Sequence, residues 1–170
     1  QSTNPTEDIF MSKEIPLTQG YVAIVDDEDF EYINQWKWWY NNSHYACRNI
    51  TIGKKKQAVI LMHRLILDAP KGLQVDHIDG NGLNNQRSNL RLATNQENQM
   101  NRRPHGKTSK YKGVCFYRFH KKISWLAQIK IGKAHMNLGY HSTEEEAAKA
   151  YDAKAKELFG EYAYLNFPES

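Results

Sequence analysis

The chain has 170 residues, 40% of them hydrophobic, and carries a formal net charge of +4. That length allows one or two domains with a modest core. No apolar run approaches the roughly 18 residues of a membrane span, and Cys47 and Cys115 alone cannot make a four-thiolate zinc site. With no signal peptide or disulfide framework legible, the expectation is a soluble, cytoplasmic protein with no membrane partner.

Residues 1–10 differ in character from the rest of the chain and read as a tag or a disordered leader ahead of a natural start at Met11. Residues 15–25 read as strand, turning at Gln19-Gly20. Asp26-Asp27-Glu28-Asp29 then opens a helix with acidic groups at its positive end. Phe30, Ile33 and Trp36 continue at helical spacing, and Trp38, Trp39 and Tyr40 complete an aromatic cluster assigned to the core. Residues 45–52 and 57–62 read as two strands joined by Gly53-Lys54-Lys55-Lys56. His63-Arg64 leads into a short apolar segment ended by Pro70.

Residues 75–78 and 90–92 read as short strands around a polar loop, with Asp79-Gly80-Asn81-Gly82 as a turn signal. Thr94-Asn95-Gln96-Glu97 is a capping box, which predicts a helix to about residue 102. A polar linker over 104–110 sets the domain boundary. Beyond it, residues 112–119, 124–131 and 135–140 read as three strands. Thr143-Glu144-Glu145-Glu146 is a second capping box, opening a helix that Gly160 ends. A three-stranded sheet covered by one helix leaves its other face open.

Charge is unevenly spread. The first 46 residues hold only Lys13 and Lys37 against eight acidic residues, whereas residues 102–135 hold ten Lys or Arg and no Asp or Glu. Such a local excess suits a polyanion, double-stranded DNA above all.

The chemistry lies in residues 75–98. Asp76 and His77 are adjacent; Asn89 comes twelve residues after His77 and Asn98 nine after that. Asp76 and Asn98 supply oxygen donors for a hard divalent cation, Mg²⁺ first and Mn²⁺ second, with water and phosphate completing the shell. His77 can take a proton from water near neutral pH. Asn89 is assigned to fixing the loop or orienting His77. Neighbours on a regular strand face opposite ways, so Asp76 and His77 meet one phosphate only if the strand bends or if they flank it. Asp79 is an alternative carboxylate. His63 is a minor candidate for a second catalytic histidine.

The residues Val75-Asp76-His77-Ile78-Asp79-Gly80-Asn81, Leu83-Asn84-Asn85, Asn89-Leu90-Arg91 and Glu97-Asn98 resemble the HNH nucleases, most closely the homing type of phages and mobile introns. The resemblance implies a ββα-metal finger in which His77 activates water while Asp76 and Asn98 hold the metal. The family often has histidine where this chain has Asn98. Residues 109–168 resemble the AP2 DNA-binding domain through Tyr111-Lys112-Gly113-Val114, Trp125-Leu126-Ala127-Gln128-Ile129-Lys130, Glu145-Glu146-Ala147-Ala148 and Leu165-Asn166-Phe167-Pro168. In that family the sheet reads the major groove. By position Lys112, Tyr117, Gln128, Lys130, His135, Asn137 and Tyr140 would face DNA, with Arg91, Arg102 and Arg103 as further contacts. The arginines and tryptophan of the plant domains are replaced at several of these places, so their GC-rich target does not carry over.

The expected fold is α+β: an HNH nuclease domain over 11–103 with an N-terminal mixed α/β segment, then an AP2-like three-stranded antiparallel sheet packed on one helix over 111–168. The expected function is a metal-dependent endonuclease of a bacterial or phage-infected cell that nicks one strand per active site. No small-molecule cofactor beyond the metal is expected, and monomer and dimer both remain open. The competing readings are a catalytically silent DNA-binding regulator and a non-specific nuclease.

Overall fold

In a computed structural model, the structure describes residues 11–53, 56–104, 108–119 and 122–168. The sequence readings at 1–10, Lys54-Lys55, 105–107 and Lys121 lie outside these. The chain divides after Ala93 into two compact units. The division precedes the linker expected at 104–110, and the reason lies in contacts distant in sequence. The Met100 carbonyl accepts from the Tyr164 backbone N–H at 3.4 Å and from the Lys112 ammonium, so the helix after Thr94 is tied to the second unit.

The first unit opens with an antiparallel hairpin, β1 (Ser12–Pro16) and β2 (Val22–Asp26), in register from Ser12 opposite Asp26 to Pro16 opposite Val22. Helix α1 (Asp27–Ile33) comes next with Asp27, Glu28 and Asp29 in its first turn, where carboxylates meet the positive end of the helix dipole. Strands β3 (Trp39–Tyr40), β4 (Ala46–Ile52) and β5 (Lys56–Leu61) form an antiparallel sheet with β4 central. The apolar segment after β5 is a short helix, α2 (Met62–Ile66). Strands β6 (Gln74–His77) and β7 (Leu90–Ala93) pair antiparallel, and a 3₁₀ turn at Arg87–Asn89 closes the loop between them.

One core joins most of these elements: Ile15, Val25, Ile33, Trp38, Met62, Val75 and Leu90 pack together. Trp38 is fully buried and its indole N–H donates to the Ile33 carbonyl at 2.8 Å, which removes the cost of burying that donor. Trp38 is therefore core, as its place in the aromatic cluster led one to expect.

The second unit begins with α3 (Asn95–Met100). Both capping boxes form: Thr94 Oγ1 accepts from Glu97 N at 3.2 Å while Glu97 returns to Thr94 N at 2.7 Å, and Thr143 and Glu146 repeat the exchange. Strands β8 (Val114–Phe119), β9 (Lys122–Ile131) and β10 (Ala134–His141) make an antiparallel sheet with β9 central and a bulge between Asn137 and Gly139. Helix α4 (Glu144–Phe159) buries Ala147, Ala148, Tyr151 and Ala155, and Val114, Ala127 and Ile129 of the sheet join the same two clusters. β8 starts two residues later than expected because Asn166 holds the Lys112 backbone, accepting from its N–H at 2.7 Å and donating to its carbonyl at 3.1 Å. Among the described residues no helix is long and apolar enough to cross a membrane.

Candidate active site

The ladder between β6 and β7 is unbroken: Asp76 lies opposite Arg91 and His77 opposite Leu90. The strand does not bend between the two residues, so their side chains leave on opposite faces. The turn comes immediately after, with Gly80 at φ +68° and its N–H donating to the His77 carbonyl at 2.8 Å.

On one face the Asp76 carboxylate accepts from Arg91 Nε at 2.8 Å and Nη2 at 2.7 Å, both on the same oxygen. Both side chains are largely buried. Arg91, expected to contact DNA, thus has its guanidinium on the carboxylate expected to hold the metal.

On the other face His77 is buried among three named neighbours. Its Nε2 lies 3.4 Å from Asn85 Oδ1. The Tyr45 ring stands nearly parallel to it at 5.6 Å, and the His63 ring meets it edge-on at 5.0 Å. Burial pushes the His77 pKa below its ordinary 6.5, against an opposite pull from Asn85, Asp79 and Asp76. Burial drives His63 further, down to about 3, with His77 and Arg64 adding to the effect. Burial thus favours the neutral form of both imidazoles. His63 Nδ1 is buried without a partner, an arrangement that costs stability.

Asn89 sits where β7 begins and closes the loop. Its Nδ2 donates to Asp79 Oδ1 at 3.0 Å and to the Asn84 carbonyl at 2.8 Å, and its Oδ1 accepts from Asp79 N at 3.0 Å. The Asp79 carboxylate also accepts from Asn81 N at 2.7 Å and Asn84 Nδ2 at 2.9 Å, so turn geometry occupies this alternative carboxylate. The loop is fastened to the front of the chain as well. Ile24 N donates to Leu83 O at 2.8 Å and Asn85 N to Ile24 O at 2.7 Å. Asp26 accepts from Arg87 N at 2.8 Å and Gln86 Nε2 at 3.1 Å, and Asp29 takes the Arg87 guanidinium through two bonds of 2.8 and 2.7 Å.

Asn98 lies half-buried on α3, in the second unit, its N–H donating to the Thr94 carbonyl at 3.0 Å. Among the described residues no group of three His, Cys, Asp or Glu side chains converges to hold a metal ion.

The profile of the HNH endonuclease family matches residues 68–100, the segment that holds Asp76, His77, Asn89 and Asn98. A protein of Acanthamoeba polyphaga mimivirus named as an HNH endonuclease is 34% identical over 178 residues, covering 98% of this chain and 89% of its own. The chain belongs to the HNH endonuclease family. DNA is accordingly its substrate class, and HNH nucleases generally use a divalent metal ion. A Bacillus subtilis protein named as an SPbeta prophage-derived HNH homing endonuclease is 44% identical over 61 residues, 33% of this chain and 35% of its own. A dehydration-responsive element-binding protein of Arabidopsis thaliana is 41% identical over 69 residues, 38% of this chain and 20% of its own. No solved structure matches.

The remaining residues expected to face DNA are in the second unit. Gln128, Lys130, His135, Asn137 and Tyr140 share one face of the sheet with Tyr117: Asn137 is opposite Gln128, His135 opposite Lys130, and the Tyr117 and Tyr140 rings lie 4.8 Å apart. Lys112 is engaged within the chain, its ammonium on the Met100 carbonyl and 5.3 Å from the Tyr164 ring centre. Arg102 and Arg103 are exposed.

Sequence reasoning placed Asn85 in the HNH-like motif without giving it a role, and missed Tyr45. Asn85 stands four residues before Asn89 in an asparagine-rich loop, and nothing in its spacing separates it from Asn84. Gly82 was the available signal for Tyr45: a Cβ there would sit 2.6 Å from the Tyr45 ring and 2.2 Å from the His44 carbonyl oxygen.

Proposed function

We propose that this HNH protein is a site-selective, metal-dependent endonuclease of the homing type. His77 is the general base, Asp76 and Asn98 are the metal-binding residues, and Asn89 fixes the loop that follows His77. The observation that supports this best is the protonation state the His77 surroundings dictate. Asn85 is fully buried and its Nδ2 donates to the Leu83 carbonyl at 3.1 Å, which turns its Oδ1 toward His77. An amide oxygen only accepts. His77 Nε2 must then carry the proton, and Nδ1 carries the lone pair that takes a proton from water. A neutral imidazole with a depressed pKa is ready for that step at pH 7.

In the reaction, water loses a proton to His77 Nδ1 and its oxygen bonds to phosphorus. The P–O bond to the departing sugar oxygen breaks, and that oxygen takes up a proton. The donors proposed for the metal are a carboxylate and an amide oxygen, a hard set that leaves most positions to water and phosphate, as Mg²⁺ prefers. Bound there, the ion would neutralise charge on the phosphoryl and leaving oxygens. Arg91 holds one Asp76 oxygen in place and adds positive charge beside the phosphate path. One active site per chain gives a nick.

The printed name of the Arabidopsis relative says that it binds a dehydration-responsive element, and its match covers 38% of this chain. From their resemblance to the AP2 domain, residues 109–168 are read as a module whose open sheet face, with Arg102 and Arg103, positions the duplex. The Arg91 grip on Asp76 favours the one competing reading, a silent DNA-binding regulator.

Purified protein incubated with supercoiled plasmid and Mg²⁺ is expected to produce open circles, and His77→Ala to bind DNA equally well and leave it intact. Wild-type binding without cleavage under Mg²⁺ or Mn²⁺ would favour the regulator.

A further inference from the structure

The open face of the β8–β9–β10 sheet is graded across its register. In the middle, Gln128 and Asn137 stand directly opposite one another, and residues opposite in an antiparallel pair share a face. On one side the next row is Cys115, Leu126 and Tyr140, with Tyr117 against Tyr140; Tyr140 is 53% and Tyr117 37% exposed. On the other side are Lys130 and His135, beside a cavity of about 300 Å³ that Gln96 and Gln99 of α3 also line. Among the described residues this face carries no arginine and no carboxylate.

The two carboxamides are not equivalent. Asn137 Oδ1 accepts from Gly139 N at 2.7 Å across the bulge, so its Nδ2 is the end left to donate. Gln128 Nε2 reaches only the Cys115 sulfur, at 3.5 Å, a weak acceptor that a base edge displaces without loss.

Guanine offers two acceptors to the major groove and is met by the donors of an arginine or a lysine; the lysine of this face, Lys130, lies a row to the side of the Gln128–Asn137 centre. Adenine offers a donor beside an acceptor and is met by a carboxamide, while thymine offers an acceptor and a methyl group. From this match we infer that the duplex read by the sheet is A·T-rich at its centre. Gln128 pairs with the N6 and N7 edge of adenine, Asn137 Nδ2 donates to thymine O4, and Leu126 with Tyr117 and Tyr140 takes thymine methyl groups. The inference rests on the sheet being the groove-reading face.

The test selects duplexes from a randomised library with the full chain under EDTA, so that nothing is cut. The expected pool has an A·T core. Replacing its thymines with deoxyuracil, which removes only the methyl groups, should weaken binding about tenfold. Gln128→Ala should reduce the preference for A·T over G·C at one position by about tenfold or more, read as the ratio of affinities for the two duplexes. Gln128→Glu should move that position toward cytosine, whose amine a carboxylate accepts. A pool rich in G·C, or deoxyuracil without effect together with an unaltered Gln128→Ala pool, overturns the inference while the groove-reading role stands. Nicking without any enriched sequence overturns both.

Discussion

Replacing Asn85 with leucine, similar in size and unable to hydrogen bond, tests the proposed chemistry at its base. Asn85 is fully buried. Its side chain makes two bonds, from His77 Nε2 at 3.4 Å and to the Leu83 carbonyl at 3.1 Å. Leucine removes both; His77 Nε2 loses this acceptor at about 1–3 kcal/mol, while the Leu83 carbonyl keeps the Ile24 N–H at 2.8 Å. Part of that returns as apolar contact, so a net loss of about 1–2 kcal/mol is expected. The backbone bond from residue 85 to Ile24 is retained, and so is the loop.

The larger effect falls on rate. General-base catalysis contributes about 10²- to 10⁴-fold. A His77 free to carry its proton on either nitrogen, and to turn about its side-chain bonds, should forfeit about 10- to 100-fold of that. Asn85→Asp separates charge from geometry. It keeps an acceptor toward Nε2 and adds an anion that raises the His77 pKa. Because the base works in its neutral form, a higher pKa confines activity to higher pH, and the acid limb moves up. The assay is single-turnover nicking from about pH 5 to about pH 8, with DNA binding measured separately without metal and folding checked by urea titration. A folded Asn85→Leu protein that cuts within about threefold of wild type, with the same pH profile, would refute the assigned tautomer.

The packing predicts three further outcomes. Gly82→Ala should lower stability by about 1–3 kcal/mol, read as a shifted urea midpoint, because its Cβ would lie 2.2 Å from the His44 carbonyl oxygen and 2.6 Å from the Tyr45 ring. His63, with a folded pKa of about 3 against an ordinary 6.5, contributes fully above 6.5 and loses stability as pH falls toward 3. By pH 5 the loss is about 2 kcal/mol, and His63→Phe should remove this part of the urea-midpoint difference between pH 7 and pH 5. Asp152→Ala should cost about 2–4 kcal/mol and expose the C-terminal segment to protease, since that carboxylate accepts from Asn166 N, Asn166 Nδ2 and Phe167 N at 2.8–2.9 Å.

Local rules carried most of the secondary structure. The capping boxes at Thr94 and Thr143 start helices because each exchange is complete within four residues. The alternation of Ala127 and Ile129 with Gln128 and Lys130 shows in sequence because strand burial has period two. The division after Ala93 did not show. It depends on the Met100 carbonyl meeting Tyr164 and Lys112, partners 64 and 12 residues away that no local pattern links. β3 escaped for a similar reason: two residues become strand only because β4 lies alongside.

At the site, residue types were legible and partners were not. The sequence shows that Asp76 and His77 are adjacent, but only the unbroken ladder to Arg91 and Leu90 shows that they flank a strand instead of sharing a face. Asn89 and Asn85 look alike in a loop of asparagines. One braces the turn through Asp79; the other faces the imidazole. What separates them is the anchoring of the loop to Ile24, Asp26 and Asp29, about sixty residues earlier in the chain. Those contacts set which asparagine points toward His77. The front segment, which the sequence shows only as a strand, an acidic helix start and an aromatic cluster, therefore reaches the surroundings of His77 through the loop it holds.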